Sequence, residues 1–200
     1  MGPGELSPRW RGVHHLALIT PDMDATVRFW CGALGARLVA TVATEGTNAF
    51  RHYFFEFGAG STIAFFEYRD ADLDFFAKPA GVPTPGAAQF DHLSLALPDE
   101  DALLALRDRL KEADCEVTDV VDHGFIRSIY FSDPGGIALE ASWWVTDPTG
   151  RVPDYGDGRL FADPDPVPAV AELRARGEVD SIPATRLVDE VTRDIYRAGP

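Results

Sequence analysis

Two histidines and one glutamate are the residues whose types and spacing suggest chemistry. His15 opens the segment His15-Leu16-Ala17-Leu18-Ile19-Thr20-Pro21-Asp22, and His92 opens a near copy, His92-Leu93-Ser94-Leu95-Ala96-Leu97-Pro98-Asp99. In both copies the His stands seven positions before the Asp. Glu140 sits within Ile137-Ala138-Leu139-Glu140-Ala141-Ser142, a carboxylate in an otherwise apolar strand pattern. A buried carboxylate without a partner is costly, so Glu140 needs a cation or a metal beside it. Two His and one carboxylate on one side of a metal form the facial triad of non-haem Fe(II) oxygenases, which leaves coordination positions open for substrate and O2.

The elements that must position these residues repeat as well. Each His-led segment alternates with period two and ends at a Pro-Asp helix start. Asp22 is the expected N-cap of a helix over DMDATVRFWCGAL, with Gly35 near its end, and DEDALLALRDRLKEA places acids first and bases later, as the helix dipole prefers. Extended stretches follow over 37–44, 50–57 and 61–68 in the first half, and over 115–121, 126–132 and 136–144 in the second. Both halves read strand, helix, strand, strand, strand, a duplicated βαβββ unit. Strand parity puts Leu16 and Leu18 toward the first helix and Leu93, Leu95 and Leu97 toward the second. His15, Ala17 and Ile19, and His92, Ser94 and Ala96, then share faces lined mainly by small residues, which suggests a cleft.

Composition narrows the partners. The chain has 200 residues and a net charge of −14, which argues against nucleic acid. No apolar run reaches the roughly 18 residues of a membrane span, and MGPGELSPRW lacks a signal-peptide pattern. Cys31 and Cys115 are too few for a disulfide scaffold and fit a reducing cytoplasm. Composition leaves a small molecule or another protein as the partner, with no nucleic acid and no membrane.

With these residues in place, the chain resembles the vicinal oxygen chelate superfamily, which includes glyoxalase I, methylmalonyl-CoA epimerase, bleomycin-resistance proteins and type I extradiol dioxygenases. The resemblance covers about residues 12–145. It implies an α+β fold of paired βαβββ modules forming a U-shaped mixed sheet around a metal cleft, with His15, His92 and Glu140 as metal ligands. Aligning Gly136-Ile137-Ala138-Leu139-Glu140 with Gly60-Ser61-Thr62-Ile63-Ala64 puts Ala64 at the fourth ligand position, where glyoxalase-like isomerases place a carboxylate. An alanine there resembles the extradiol dioxygenases. The run Val121-x-His123-x5-Ile129-Tyr130-x2-Asp133-Pro134-x-Gly136-x3-Glu140 is similar to the signature around their final ligand. The resemblance implies that His123 stabilises the bound oxygen or substrate anion and that Tyr130 hydrogen-bonds substrate. A surface-loop His and a half-buried strand aromatic are the plain alternatives. One departure is Ser61, which stands where those enzymes usually carry a further His; His52 on the preceding strand is a candidate substitute, with an ordinary surface strand histidine as the plainer reading.

The expected function is therefore that of a small two-module ring-cleaving dioxygenase, an oxidoreductase that uses Fe(II) and O2 on a catecholic or similar vicinal-oxygen substrate. The alternatives are a metal-dependent isomerase, epimerase or lyase with Mn, Ni or Zn, and a non-catalytic drug-binding protein of the same fold. The expected organisation is an N-terminal arm (1–11), a first module (12–78), a linker (79–89), a second module (90–145) and a C-terminal extension (146–200). Within the extension, helices are expected over 169–176 and 183–196, and the extension is able to cover the sheet, cap the cleft or close a homodimer. Glu67, of opposite parity to Ala64, is expected at the rim.

Overall fold

The computed structural model describes residues 13–43, 49–58, 60–69, 71, 76–78, 80–82, 90–149, 152–162, 164 and 168–177. The chain divides into two compact units, Met1–Asp147 and Pro148–Pro200. In the first unit, strand β1 (His15–Ile19), helix α1 (Met23–Val27), β2 (Arg37–Ala43), β3 (Phe50–Gly58) and β4 (Ser61–Tyr68) are followed by β5 (Leu93–Ala96), α2 (Glu100–Glu112), β6 (Val121–Asp122), β7 (Ile126–Ser132) and β8 (Ala138–Trp144). The α+β class and the paired βαβββ modules are as expected. The strands hydrogen-bond as two four-stranded sheets, in the orders β1-β4-β3-β2 and β5-β8-β7-β6, rather than as one continuous sheet. The two orders coincide when four is subtracted from each number of the second, so the repeat extends to the topology.

The repeated Pro-Asp pair performs the same task twice. Asp22 Oδ1 accepts from the Ala25 N–H at 3.0 Å, and Asp99 Oδ1 from the Ala102 N–H at 2.8 Å, each satisfying an orphan donor of a first helical turn. The first helix departs from the regular pattern. After Val27 it widens into a π-helical stretch, Arg28–Ala33, with the Leu34 N–H bonded to the Phe29 carbonyl. The wider turn buries Phe29, Trp30 and Ala33 together. Trp30 packs on Phe55, Phe57 and Phe65, with ring centroids 6.2, 5.1 and 5.3 Å away. Its Nε1–H points to Asp133 Oδ2 at 3.4 Å, tying the first module to the second. The helix stops at Gly35, whose φ of 73° admits few other residues and whose missing side chain leaves room for Arg109. Arg109 in turn donates to the carbonyls of Ala33 and Gly32 at 2.6 and 2.9 Å.

One buried cluster holds residues of both sheets and both helices, among them Trp30, Phe55, Phe65, Leu103, Leu110, Ile129, Phe131 and Leu139. Leu16, Leu18, Leu93, Leu95 and Leu97 pack against it, as parity predicts. The faces carrying His15 and His92 therefore both turn away from this shared core.

The extended stretch expected over 115–121 shortens to an isolated bridge between Val117 and Phe131 and the two-residue β6. Thr118 still donates its N–H to the Tyr130 carbonyl at 3.0 Å. Its Oγ1 accepts the Tyr130 N–H at 3.0 Å, the donor that a carbonyl would take in a regular ladder. In the second unit, α3 (Pro168–Arg176) matches the expected 169–176 helix. The arm over 1–11 and the helix over 183–196 lie outside the described residues, as does most of the linker. No helix among the described residues is long and apolar enough to cross a membrane.

Candidate metal centre

Strand β8 alternates Leu139 and Ala141 into the core with Ala138, Glu140 and Ser142 on the opposite face. Glu140 is only 6% exposed, and both its oxygens have partners. Oε2 lies 2.9 Å from His92 Nε2, and Oε1 accepts from the Tyr130 hydroxyl at 3.2 Å. Tyr130 is the direct cross-strand partner of Glu140, which explains how a residue ten positions earlier reaches the same carboxylate. With the phenol proton directed at Glu140, the Tyr130 oxygen accepts from His123 Nε2–H, 2.9 Å away. Burial, and then the neighbouring Glu140 charge, push the Tyr130 phenol above its ordinary pKa. His92, Glu140, Tyr130 and His123 thus form one hydrogen-bonded cluster on the second sheet.

His15 is not part of it. It lies on the exposed face of β1, with Nδ1 2.8 Å from His14 Nδ1 and its ring centroid 5.4 Å from Phe54 and 6.3 Å from His52. No three His, Cys, Asp or Glu side chains among the described residues stand close enough together to hold a metal. Two of the three expected ligands are brought together, and the third stands apart. The reason is the shared core, which turns the two His-bearing faces away from it rather than folding them into one cleft.

Register makes the two modules comparable position by position. Glu140 pairs with Ser94, two residues beyond His92, and Ala64 pairs with Ala17, two beyond His15. Tyr130 faces Glu140 as Phe54 faces Ala64. The first module therefore keeps the histidine and replaces the carboxylate and phenol by alanine and phenylalanine. Around it runs a ladder of rings. Tyr68 stacks on Phe66 (5.9 Å, 9°), Phe66 on His52 (3.6 Å, 14°), and His52 adjoins Phe54 at 4.3 Å. His52 Nε2 is buried without a hydrogen-bond partner, and burial lowers the His52 pKa, followed by the effect of His15. Ser61 begins β4 and is exposed. Glu67, expected at the rim, is instead tucked in: its Oε1 accepts the Met23 N–H at 2.9 Å at the start of α1, and its other oxygen pairs with Arg51.

Sequence reasoning missed Asp91. Its Oδ1 lies 2.6 Å from His92 Nδ1 and accepts the Gly81 N–H at 2.8 Å, while Oδ2 accepts from Lys78 Nζ at 2.6 Å. Lys78 first, then His92 and Gly81, hold the carboxyl well below the usual range. The signal was present only as the acid preceding the repeated His, which reads as an ordinary surface charge.

Paired βαβββ modules, each led by a histidine on its first strand, define a duplicated α+β fold that carries its polar chemistry on sheet faces. Residues 12–141 match the family model of the Glyoxalase/Bleomycin resistance protein/Dioxygenase superfamily, and the chain belongs to that family. It is 27% identical over 128 residues to the uncharacterized protein YaeR of Escherichia coli (strain K12), covering 64% of this chain and 92% of the relative. Among solved structures it is similar to a glyoxylase/bleomycin resistance protein/dioxygenase domain from Frankia sp. EAN1pec, with a TM-score of 0.56, 26% identity and coverage of 68% of this chain and 93% of that one. A glyoxalase family protein from Enterococcus faecalis shares the fold, with a TM-score of 0.51, 20% identity and coverage of 66% and 98%.

Proposed function

We propose that this chain is a metal-dependent enzyme acting on a small molecule with vicinal oxygens, with His15, His92 and Glu140 as its metal ligands. The observation that carries this reading is the meeting of His92 and Tyr130 on the nearly buried Glu140, with His123 bonded to the Tyr130 hydroxyl behind them. The donor types suit a divalent cation, and Nε2 of His92 and Oε2 of Glu140 stand side by side at 2.9 Å, with the third ligand to come from His15. A bound Fe(II) would supply Lewis-acid polarisation of the substrate oxygens and a place for O2 beside them, with Mn, Ni or Zn serving only the first role.

The chain's own residues do the rest. Tyr130 holds a proton beside the ligand position, and His123 stands behind it as the next donor. These two are the proposed catalytic residues. Ala64 leaves the position equivalent to Glu140 without a ligand, and the Phe54–His52–Phe66 ladder beside His15 offers a wall for a flat, unsaturated substrate. Both features favour ring cleavage of a catecholic substrate.

His15 reaches the site from a second copy of the chain. Among the described residues, β1 and β5 are edge strands of their sheets, each paired on one side only. Leu16, Ile63, Leu93, Leu95 and Leu106 border an apolar hollow of about 720 Å3 beside those edges. A homodimer that sets the first sheet of one copy beside the second sheet of the other supplies His15 of the partner subunit to His92 and Glu140.

Anaerobic loading with Fe(II), followed by O2-uptake assays on a catechol panel, tests the reaction. Stoichiometric O2 consumption with ring-cleaved product is expected. No turnover of any diphenol at full iron occupancy contradicts the dioxygenase reading. Ser61, which provides no imidazole where extradiol enzymes usually carry one, favours the second reading of isomerase or lyase chemistry. Turnover of a non-aromatic vicinal-oxygen substrate under strict anaerobiosis would select it.

A further inference from the structure

Both ring nitrogens of His92 face carboxylates, and only the one at Nε2 belongs to the metal site. The other, Asp91, is half exposed, yet three groups converge on it: the Lys78 ammonium, the Gly81 N–H and the His92 ring. The Lys78 side chain is only 9% exposed, so its long stem is packed and its ammonium held in place. An exposed carboxylate on its own samples several rotamers; fixed by three partners, this one offers Oδ1 to the ring in one geometry. A carboxylate only accepts, so the 2.6 Å contact places an Nδ1–H toward Asp91 Oδ1, while Nε2 lies 2.9 Å from Glu140 Oε2. A metal ion beside Glu140 would take Nε2 in place of the proton shared with that carboxylate, with the ring already oriented through its Nδ1–H.

We infer that Asp91, held by Lys78 and Gly81, is the positioning residue that sets the tautomer and ring orientation of His92 for metal binding. The inference rests on the reading of His92 as a ligand. It also separates the two halves of the repeat. The residue before His15 is His14, whose ring nitrogen stands 2.8 Å from that of His15 where Asp91 stands against His92. An imidazole supplies no fixed negative charge to orient its neighbour. His92 is therefore the preorganised ligand of the pair, and His15 the one that the assembled site must orient.

Calorimetric titration of the full chain with Zn(II) tests this, with the His92 Nδ1–H followed by 15N-edited NMR in the loaded protein. Asp91→Ala weakens Zn(II) binding by about 10–100-fold and removes the Nδ1–H signal, while melting shows that the fold persists. Asp91→Asn, which keeps an acceptor without the charge, gives a smaller loss, and Asp24→Asn on the exposed face of α1 gives none. Zn(II) affinity in Asp91→Ala within twofold of the unaltered chain, alongside a large loss in Glu140→Ala, overturns the positioning role and leaves the metal site standing. Absence of binding by the unaltered chain, or equal binding by Glu140→Ala, overturns the metal site and this inference with it.

Discussion

Glu140 is a carboxylate in the middle of an otherwise apolar strand, and it is tolerated because Tyr130 and His92 occupy its two oxygens. Its counterpart in the first module, Ala64, needs no such partners and has Phe54 across from it. Tyr130→Phe removes the proton donor and leaves both nitrogen ligands and the carboxylate in place. Its kcat is expected to fall by on the order of 100-fold with metal content unchanged, as read by steady-state assay and metal analysis on the same sample. An unaltered kcat would remove Tyr130 from the catalytic residues. The spacing to Glu140 makes the place of Tyr130 legible in the sequence, because a cross-strand pair joined by a short turn has a definite residue offset, whereas His123 enters only through the family resemblance. Asp91 was not legible, since nothing local tells an orienting acid from a solvated one; only Lys78 and Gly81, brought up from the linker side, distinguish it.

At the scale of elements, the long period-two strands, the Asp22 and Asp99 helix starts and the Gly35 stop are legible because each depends on local sequence. The π-helical turn at Arg28–Ala33 was not, because apolar spacing there fits a regular helix equally well and only the packing of Trp30 selects the wider turn. The shortened β6 region escaped for a similar reason, as Thr118 makes one ladder bond to Tyr130 through its backbone and takes the returning N–H on its hydroxyl. Asp133, at the end of β7, accepts from the Ile137 N–H and from Trp30, yet burial raises its pKa above the ordinary Asp value. The native state thus holds this proton more tightly than the unfolded chain. The group's contribution to stability is full below the ordinary Asp range and is lost as pH rises through its folded value. Urea unfolding across that window should show the stability difference between the unaltered chain and Asp133→Asn shrinking or reversing as pH rises. A difference that is flat with pH contradicts the raised value. Trp30→Ala, which empties the centre of the shared core, should cost about 3–5 kcal/mol in the same assay.

For the whole molecule, the decisive feature is that one core serves both sheets. The sequence showed two modules and two matching histidines, but no local pattern encodes which way the finished sheets face, and the expectation of one cleft within one chain did not anticipate the separation of His15 from His92. If a second copy completes the site, light scattering gives a dimer. Each twofold dimer then holds two sites, each built from His15 of one subunit and His92 and Glu140 of the other. Mixing inactive His15→Ala with inactive Glu140→Ala should restore on the order of a quarter of the sites, since half the dimers are mixed and each mixed dimer carries one intact site. A monomer, or a mixture that stays inactive after subunit exchange, contradicts this assembly. The net charge of −14 has no part in the argument: of the 32 acidic residues, only Glu140 is a proposed ligand and only Asp91 a proposed support.

The most direct test of the central claim is anaerobic equilibrium dialysis of the full-length protein against Fe(II), repeated on His15→Ala, His92→Ala and Glu140→Ala. One tightly held ion per chain in the unaltered protein, lost or greatly weakened in each variant, is the predicted result. Substoichiometric iron in the unaltered protein, or uptake that Glu140→Ala leaves unchanged, would contradict it.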